Sequence, residues 1–274
     1  MFLFELIKAI IFGIVEGVTE WLPVSSTGHI LLLEALLPLD ISEEFAGVFE
    51  VVIQLGAVAA VAVKYRESLT PFGKTEVEKR KTFRLWRVTL IGVLPSAVMG
   101  LAFDDLIEEF FYTPTVVGVM LLLYGIAFIV AEVLMEKRKR VDTEPCDMDY
   151  KKVCATGFFQ TLALIPGTSR SGATILGAYL CGASRRSAAE LSFLLAIPTM
   201  VGACSLRAVK FLIEGNRFTP SELLILAAGT LTAYALSRIV VELLTDFVQK
   251  HGFFIFGIYR IILGGVILHI FAKQ

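Results

Sequence analysis

Apolar and polar residues fall along this chain in blocks. Long stretches almost free of charge are separated by short segments that hold most of the Lys, Arg, Asp and Glu. A helix crossing a hydrocarbon core about 30 Å thick needs about 20 mostly apolar residues, because each residue advances it by about 1.5 Å. Six runs reach that length, at about 45–64, 86–104, 114–135, 187–212, 221–244 and 253–272. The expected fold is an all-α integral membrane protein.

Two further apolar stretches are cut in the middle by turn chemistry, LPVSSTGH at 22–29 and IPGTSRSGAT at 165–174. The flanking halves, about 4–17 and 29–37 for the first and 152–164 and 171–181 for the second, are each too short to cross. They suit re-entrant helix-loop-helix hairpins, which are tolerated at membrane depth where protein or a water-filled cavity surrounds them. The chain then reads as one membrane domain, 1–274, made of the same unit twice: a hairpin plus three transmembrane helices, at about 1–136 and 150–274. A cytoplasmic linker at about 136–150 joins them. Pro23, Ser25, Ser26 and Gly28 answer Pro166, Thr168, Ser169 and Gly172, and Glu16 answers Gln160. An odd number of crossings per unit predicts that the second lies upside down, the inverted-topology repeat of many transporters.

Loop charges set the orientation, since Lys and Arg are retained on the cytoplasmic side. The segment 64–84 carries Lys64, Arg66, Lys74, Lys79, Arg80, Lys81 and Arg84, and 136–152 carries Lys137, Arg138, Lys139, Arg140, Lys151 and Lys152. Between them, 104–113 holds Asp104, Asp105, Glu108 and Glu109 and no base, as an outer loop should. The first hairpin is expected to open outward and the second inward. Arg207, Lys210 and Arg217 run against this pattern in the second half.

Composition narrows the function. Of 274 residues, 56% are hydrophobic and 19% charged, below the roughly 25% of soluble domains. With 25 Lys+Arg against 26 Asp+Glu, a net charge of −1 gives no electrostatic case for nucleic acid. Cys146, Cys154, Cys181 and Cys204 lack metal-ligand spacing and are expected as free thiols. The first fifteen residues include Glu5 and Lys8 and lack a basic leader, so no cleaved signal peptide is expected.

The candidate chemistry sits at the two interruptions. Glu16 and Glu20, four apart, share one helix face. Burying two carboxylates near a bilayer requires a cation, an arginine or a shared proton, and a hard divalent ion such as Mg²⁺ or Ca²⁺ suits all-oxygen ligands. The bland reading is a pair snorkelling to the interface or bonded to neighbouring helices. Ser25, Ser26, Thr27, Gly28 and His29 fall in the first turn of the returning helix, where free N–H groups favour an anion. Thr168, Ser169, Arg170, Ser171, Gly172 and Thr174 make the same offer in the second hairpin. For Ser25, Thr27, Thr168 and Ser171, an ordinary N-cap role explains the residue equally well. Arg170 at a loop tip needs an anionic partner, either phosphate or one of Glu16 and Glu20. His29, three residues after Ser26, can act on that hydroxyl, on a phosphoryl group or on a leaving oxygen. Elsewhere within spans, Arg238 and Glu242 are placed to pair with each other, and Glu50 and Arg260 either line the cavity or pair structurally.

EGVTEWLPVSSTGH at 16–29 and PGTSRSGAT at 166–174 resemble the two signature motifs of the bacterial undecaprenyl-diphosphate phosphatases, the bacitracin-resistance membrane proteins. FEVVIQLGA at 49–57 and FGIYRIILGG at 256–265 are also similar to that family, so the likeness covers nearly the whole chain. The resemblance implies hydrolysis of undecaprenyl diphosphate to the monophosphate and inorganic phosphate, recycling the cell-wall lipid carrier. It also implies a divalent cation, a homodimer, and a site at the outer face of the bacterial cytoplasmic (inner) membrane. By motif it carries across Glu16, Glu20, Ser26, His29, Ser169, Arg170 and Thr174. With the chemistry above, the expected catalytic set is Ser26, His29, Glu20 and Arg170. Arg170, Ser169, Ser171, Thr174, Ser25 and Thr27 are expected to bind the phosphates, and Glu16 and Glu20 the metal. Phosphohistidine, phosphoserine and direct water attack all fit the spacing. The preferred expectation is Ser26 as nucleophile with His29 as its proton-transfer partner. The rival function is a transporter or flippase of a prenyl-phosphate lipid, because broken helices in inverted repeats are the common plan of carriers.

Overall fold

The computed structural model describes residues 2–135 and 142–272, apart from the side chains at 104, 105 and 108. Eleven α-helices occur among the described residues, and no strand. They are α1 (Phe2–Thr19), α2 (Ser26–Leu36), α3 (Glu43–Lys64), α4 (Arg66–Leu69), α5 (Glu76–Phe111), α6 (Pro114–Met135), α7 (Tyr150–Thr161), α8 (Arg170–Leu180), α9 (Arg185–Ile213), α10 (Pro220–His251) and α11 (Phe254–Phe271). Six of them, α3, α5, α6, α9, α10 and α11, are long and apolar enough to cross a membrane. They match the six expected runs. The apolar pattern understated α5 and α10, whose polar ends continue as helix beyond the hydrocarbon-length stretch.

Three expectations need correction. The acidic segment expected as an outer loop at 104–113 is helical as far as Phe111, because it holds no glycine or proline to stop α5. Two-thirds of the basic segment 64–84 is likewise helix, with Thr75 and Glu78 forming a capping box that starts α5. The pair expected between Arg238 and Glu242 is not among the ion pairs of the described residues; Arg238 is half-buried and Glu242 exposed. Lys137, Arg138, Lys139 and Arg140 lie outside the described residues.

Close backbone approach decides which helices pair. Apolar helices gain little from burial against one another in lipid, so small residues that let backbones meet carry the specificity. A Cβ on Gly13 would lie 2.3 Å from the Gly229 carbonyl oxygen, and one on Gly17 would lie 2.6 Å from that of Ala233. These contacts ascend together, so α1 and α10 run parallel. A Cβ on Gly157 would lie 2.4 Å from the Gly92 carbonyl oxygen, and Gln160 bonds Ser96, so α7 and α5 also run parallel. On α6 and α11, Gly118 faces Gly264 and Gly125 faces Gly257, which makes this pair antiparallel.

Buried polar contacts tie the ends. Lys8 Nζ donates to Glu5 (2.9 Å) and to the Pro38 carbonyl (2.6 Å), while Glu5 accepts from the Asp40 amide (2.9 Å). The start of α1 is thereby held to the chain leaving α2. Glu132 in α6 pairs with Arg185 and accepts from the Phe253 amide, joining the starts of α9 and α11.

Candidate active site

Between α1 and α2 the chain turns through residues 20–25. Between α7 and α8 a 3-10 turn, Leu162–Leu164, leads into a second turn at 165–169. Each turn ends on a serine with positive φ, 74° at Ser25 and 72° at Ser169, and no other non-glycine residue among those described has one. Backbone of this kind costs a residue with a Cβ about 1–3 kcal/mol. Each serine offsets part of that as an N-cap: Ser25 Oγ accepts from the Gly28 amide at 3.4 Å and Ser169 Oγ from the Gly172 amide at 3.1 Å. The structural correspondence therefore pairs Ser25 with Ser169 and Ser26 with Arg170. Matching by proline misplaced it by one residue, since Pro23 stands two before its cap and Pro166 three. Of the four hydroxyls weighed as ordinary caps, Ser25 alone serves as one.

The two turns meet. Arg170 Nη2 donates to Glu20 Oε1 at 2.8 Å, and Ser26 Oγ donates to Glu20 Oε2 at 2.8 Å, so one carboxylate from the first turn holds a guanidinium from the second and a hydroxyl from its own. Ser171 Oγ lies 2.9 and 3.1 Å from the carbonyls of Glu20 and Leu22. Arg170 Nη1 is fixed by the Ser192 carbonyl (2.9 Å), and its guanidinium lies over the Trp21 ring, while Thr174 Oγ1 donates to Ser192 Oγ at 2.7 Å. Between the two readings weighed for Arg170, the contact made is the pair with Glu20. Its Nε is buried and has no hydrogen-bond partner.

Arg260 joins the turns from a third side. Wholly buried, it donates to the Pro23 carbonyl at 3.2 Å and to those of Gly167 and Thr168 at 2.8 and 2.9 Å. Gly172 makes room for it, since a Cβ there would stand 3.1 Å from Nη1. Gly167, at φ +88°, lies so near α6 that a Cβ would sit 2.5 Å from the Val117 carbonyl oxygen.

No side-chain hydrogen bond joins His29 to Ser26 among the described residues. Its Nδ1 lies 2.7 Å from the Ser25 carbonyl and its Nε2 2.7 Å from the Tyr259 hydroxyl. The group on the Ser26 hydroxyl is Glu20. Thr27 is half-buried beside them. Ser171 and Thr174 are fully buried and spend their hydroxyls on the protein itself, where they position Arg170 and lace the turns.

Glu16 and Glu20 supply the oxygen chemistry that a hard divalent cation would fit. Glu16 is 1% exposed and its Oε1 has no partner, one helical turn before Glu20. An unpaired buried carboxylate oxygen is costly in low dielectric, and a hard cation relieves it. Glu20 joins such a set only by loosening Arg170 or Ser26. The other acid-rich group, Glu144, Cys146 and Asp147, has ligand atoms within 4.8 Å of one another. There Lys81 pairs with Glu144 and Arg84 with Asp147, and burial pushes the Cys146 thiol up to about 11, so the group reads as a surface clamp.

Residues 9–266 match the family described as bacitracin resistance protein BacA. The chain belongs to this family. It is a multi-pass membrane protein, as the six apolar helices require. An undecaprenyl-diphosphatase of Enterococcus faecalis (strain ATCC 700802 / V583) is 49% identical over 267 residues, covering 95% of each chain. A second from Enterococcus faecalis is 47% identical over 98% of each chain, and one from Streptococcus equi subsp. zooepidemicus is 47% identical over 98% of this chain and 97% of its own. Ser192 and Tyr259 were absent from the expected site. Ser192 carries no sequence signal, whereas Tyr259 stands next to Arg260, whose charge within an apolar span was the available hint.

Proposed function

We propose that the chain hydrolyses undecaprenyl diphosphate to undecaprenyl phosphate and inorganic phosphate. The observation that carries this is Glu20 held between Arg170 and Ser26, which brings a hydroxyl, its proton acceptor and a phosphate-binding guanidinium together from two turns. Ser26 Oγ attacks the terminal phosphorus as its proton passes to Glu20, an Oγ–P bond forms, and the bridging P–O bond breaks to release the monophosphate. Water then cleaves the Oγ–P bond, one of its protons going to His29 Nε2 while Ser26 recovers its proton from Glu20. Arg170 and the amides at the starts of α2 and α8 stabilise charge on the transferring group. Glu16 and Glu20 would hold a Mg²⁺ or Ca²⁺ ion, which supplies positive charge beside the phosphate oxygens. The geometry favours Glu20 over His29 as the partner of Ser26.

Around this site we infer two inverted repeats, about 1–136 and 150–274, each with a re-entrant hairpin. Support comes from the matched serine caps and from α1 lying along α10 as α7 lies along α5. The antiparallel α6 and α11 are what a two-fold axis in the membrane plane requires of helices it exchanges. The proposed setting is the cytoplasmic (inner) membrane with the site open to the outer side, and the proposed assembly a homodimer, as the family resemblance implies.

Purified protein in detergent should release phosphate from undecaprenyl diphosphate and lose that activity to a chelator. Movement of the lipid across liposomes without phosphate release would establish the transporter reading instead.

A further inference from the structure

The geometry points to Tyr259 as the positioning residue that holds His29 with its Nε2 as the working nitrogen, an inference that rests on the phosphatase reading above. The Ser25 carbonyl can only accept, so the His29 nitrogen 2.7 Å away, Nδ1, carries the proton. In the neutral ring this leaves the lone pair on Nε2, 2.7 Å from the Tyr259 hydroxyl, which donates to it. The two rings are parallel within 8°, with centroids 5.6 Å apart.

The contact joins two distant parts of the chain. His29 stands in the first turn of α2 and Tyr259 in α11, next to the Arg260 that binds both site turns. Nδ1 is thereby removed from the chemistry, and Nε2 is the nitrogen that can take a proton. A phenol suits this position because its hydroxyl both donates and accepts. It donates to the neutral imidazole; turning its O–H away frees the one Nε2 lone pair to take a proton, and its oxygen then accepts from the imidazolium so formed. A carbonyl or an ammonium could serve only one of those states. Tyr259 is 45% exposed, so its hydroxyl contributes little to the packed interior.

The chain holds three histidines, so nitrogen-15 labelling of their rings gives three assignable spin systems, with His29→Gln identifying the relevant one. Full-length protein in detergent should show His29 protonated on Nδ1. Tyr259→Phe removes one hydroxyl and should leave the unfolding temperature unchanged. It should shift the Nε2 resonance towards that of an unbonded nitrogen and lower kcat about tenfold with KM held within about twofold. The inference is overturned if wild-type His29 carries its proton on Nε2, or if Tyr259→Phe leaves either the resonance or kcat as in the wild type. Tyr259→Gln, whose amide also both donates and accepts, should recover part of the loss, and an equal loss in Gln and Phe would count against the proposed role. Absence of phosphate release by the wild type would fail the phosphatase reading itself, with the ring spectrum still deciding where the proton lies.

Discussion

The turn at 20–25 and the turn at 165–169 share a backbone and differ in what it carries. Both end on a strained serine that caps an 11-residue helix through a glycine amide three residues on. After the cap, the first presents Ser26 and His29, and the second presents Arg170, with Ala173 where the first has the histidine. Upstream the contrast is sharper. Glu16 and Glu20 face Gln160 and Leu164 in the matching places. Gln160 donates to Ser96 and Thr199, yet its Oε1, like Glu16 Oε1, has no partner, so the amide and the carboxylate each leave one buried oxygen unpaired and differ in charge alone. A shared frame therefore supplies position, while divergence places acid, hydroxyl and imidazole on one turn and the fixed cation on the other.

The largest expected effect comes from removing the contact between the turns. Arg170→Ala leaves Glu20 buried without its charge partner, a change of about 3–5 kcal/mol for such pairs, and should lower phosphate release by about 10³-fold or more. Arg170→Lys keeps the charge without the planar fork and should remain far below wild type. Wild-type turnover from Arg170→Ala would show that the second turn contributes no chemistry, and from Arg170→Lys that the charge suffices without the fork.

Arg260 comes next. Replacing it with Ala leaves three buried carbonyls of both turns without their donor, at about 1–3 kcal/mol for each unsatisfied group. Thermal unfolding in detergent should fall clearly, and Arg260→Lys should recover little, since one ammonium cannot reach all three carbonyls. Gln160→Glu tests whether the turns can be made alike. It replaces an amide donor with an acceptor beside Ser96 and Thr199 and should lower stability by about 1–3 kcal/mol. The smallest effect is at the caps. Ser25→Gly and Ser169→Gly exchange a lost cap bond, worth a few tenths of a kcal/mol, for relief at positive φ, so their unfolding temperatures should stay near wild type. Ser25→Ala and Ser169→Ala keep the strain, lose the cap and should each cost about 1–2 kcal/mol.

How much of this is legible in the sequence varies by element. The span 114–135 coincides with α6, because Pro114 starts the helix and its apolar run has no competing polar face. α5 was read short at both ends, since capping and the absence of a breaker extend helices past the apolar window. Glu20 and Arg170 were identified because charge inside an apolar segment is costly and requires a reason. That they pair with each other, 150 positions apart, was one option among several. Ser192, a neutral hydroxyl in a long helix, resembles any other serine in the chain.

Local pattern sufficed for the helical class, the six crossing-length segments and the two places where turn residues interrupt an apolar run. Those properties follow from solvation and backbone geometry over a few neighbouring residues. Which groups share a proton or a charge depended on helix packing through Gly13, Gly17, Gly157 and the glycines of α6 and α11, which sets distances between segments far apart in the chain. For that reason Arg170 is bonded to Glu20 and His29 reaches Tyr259, pairings that spacing along one helix had no means of selecting.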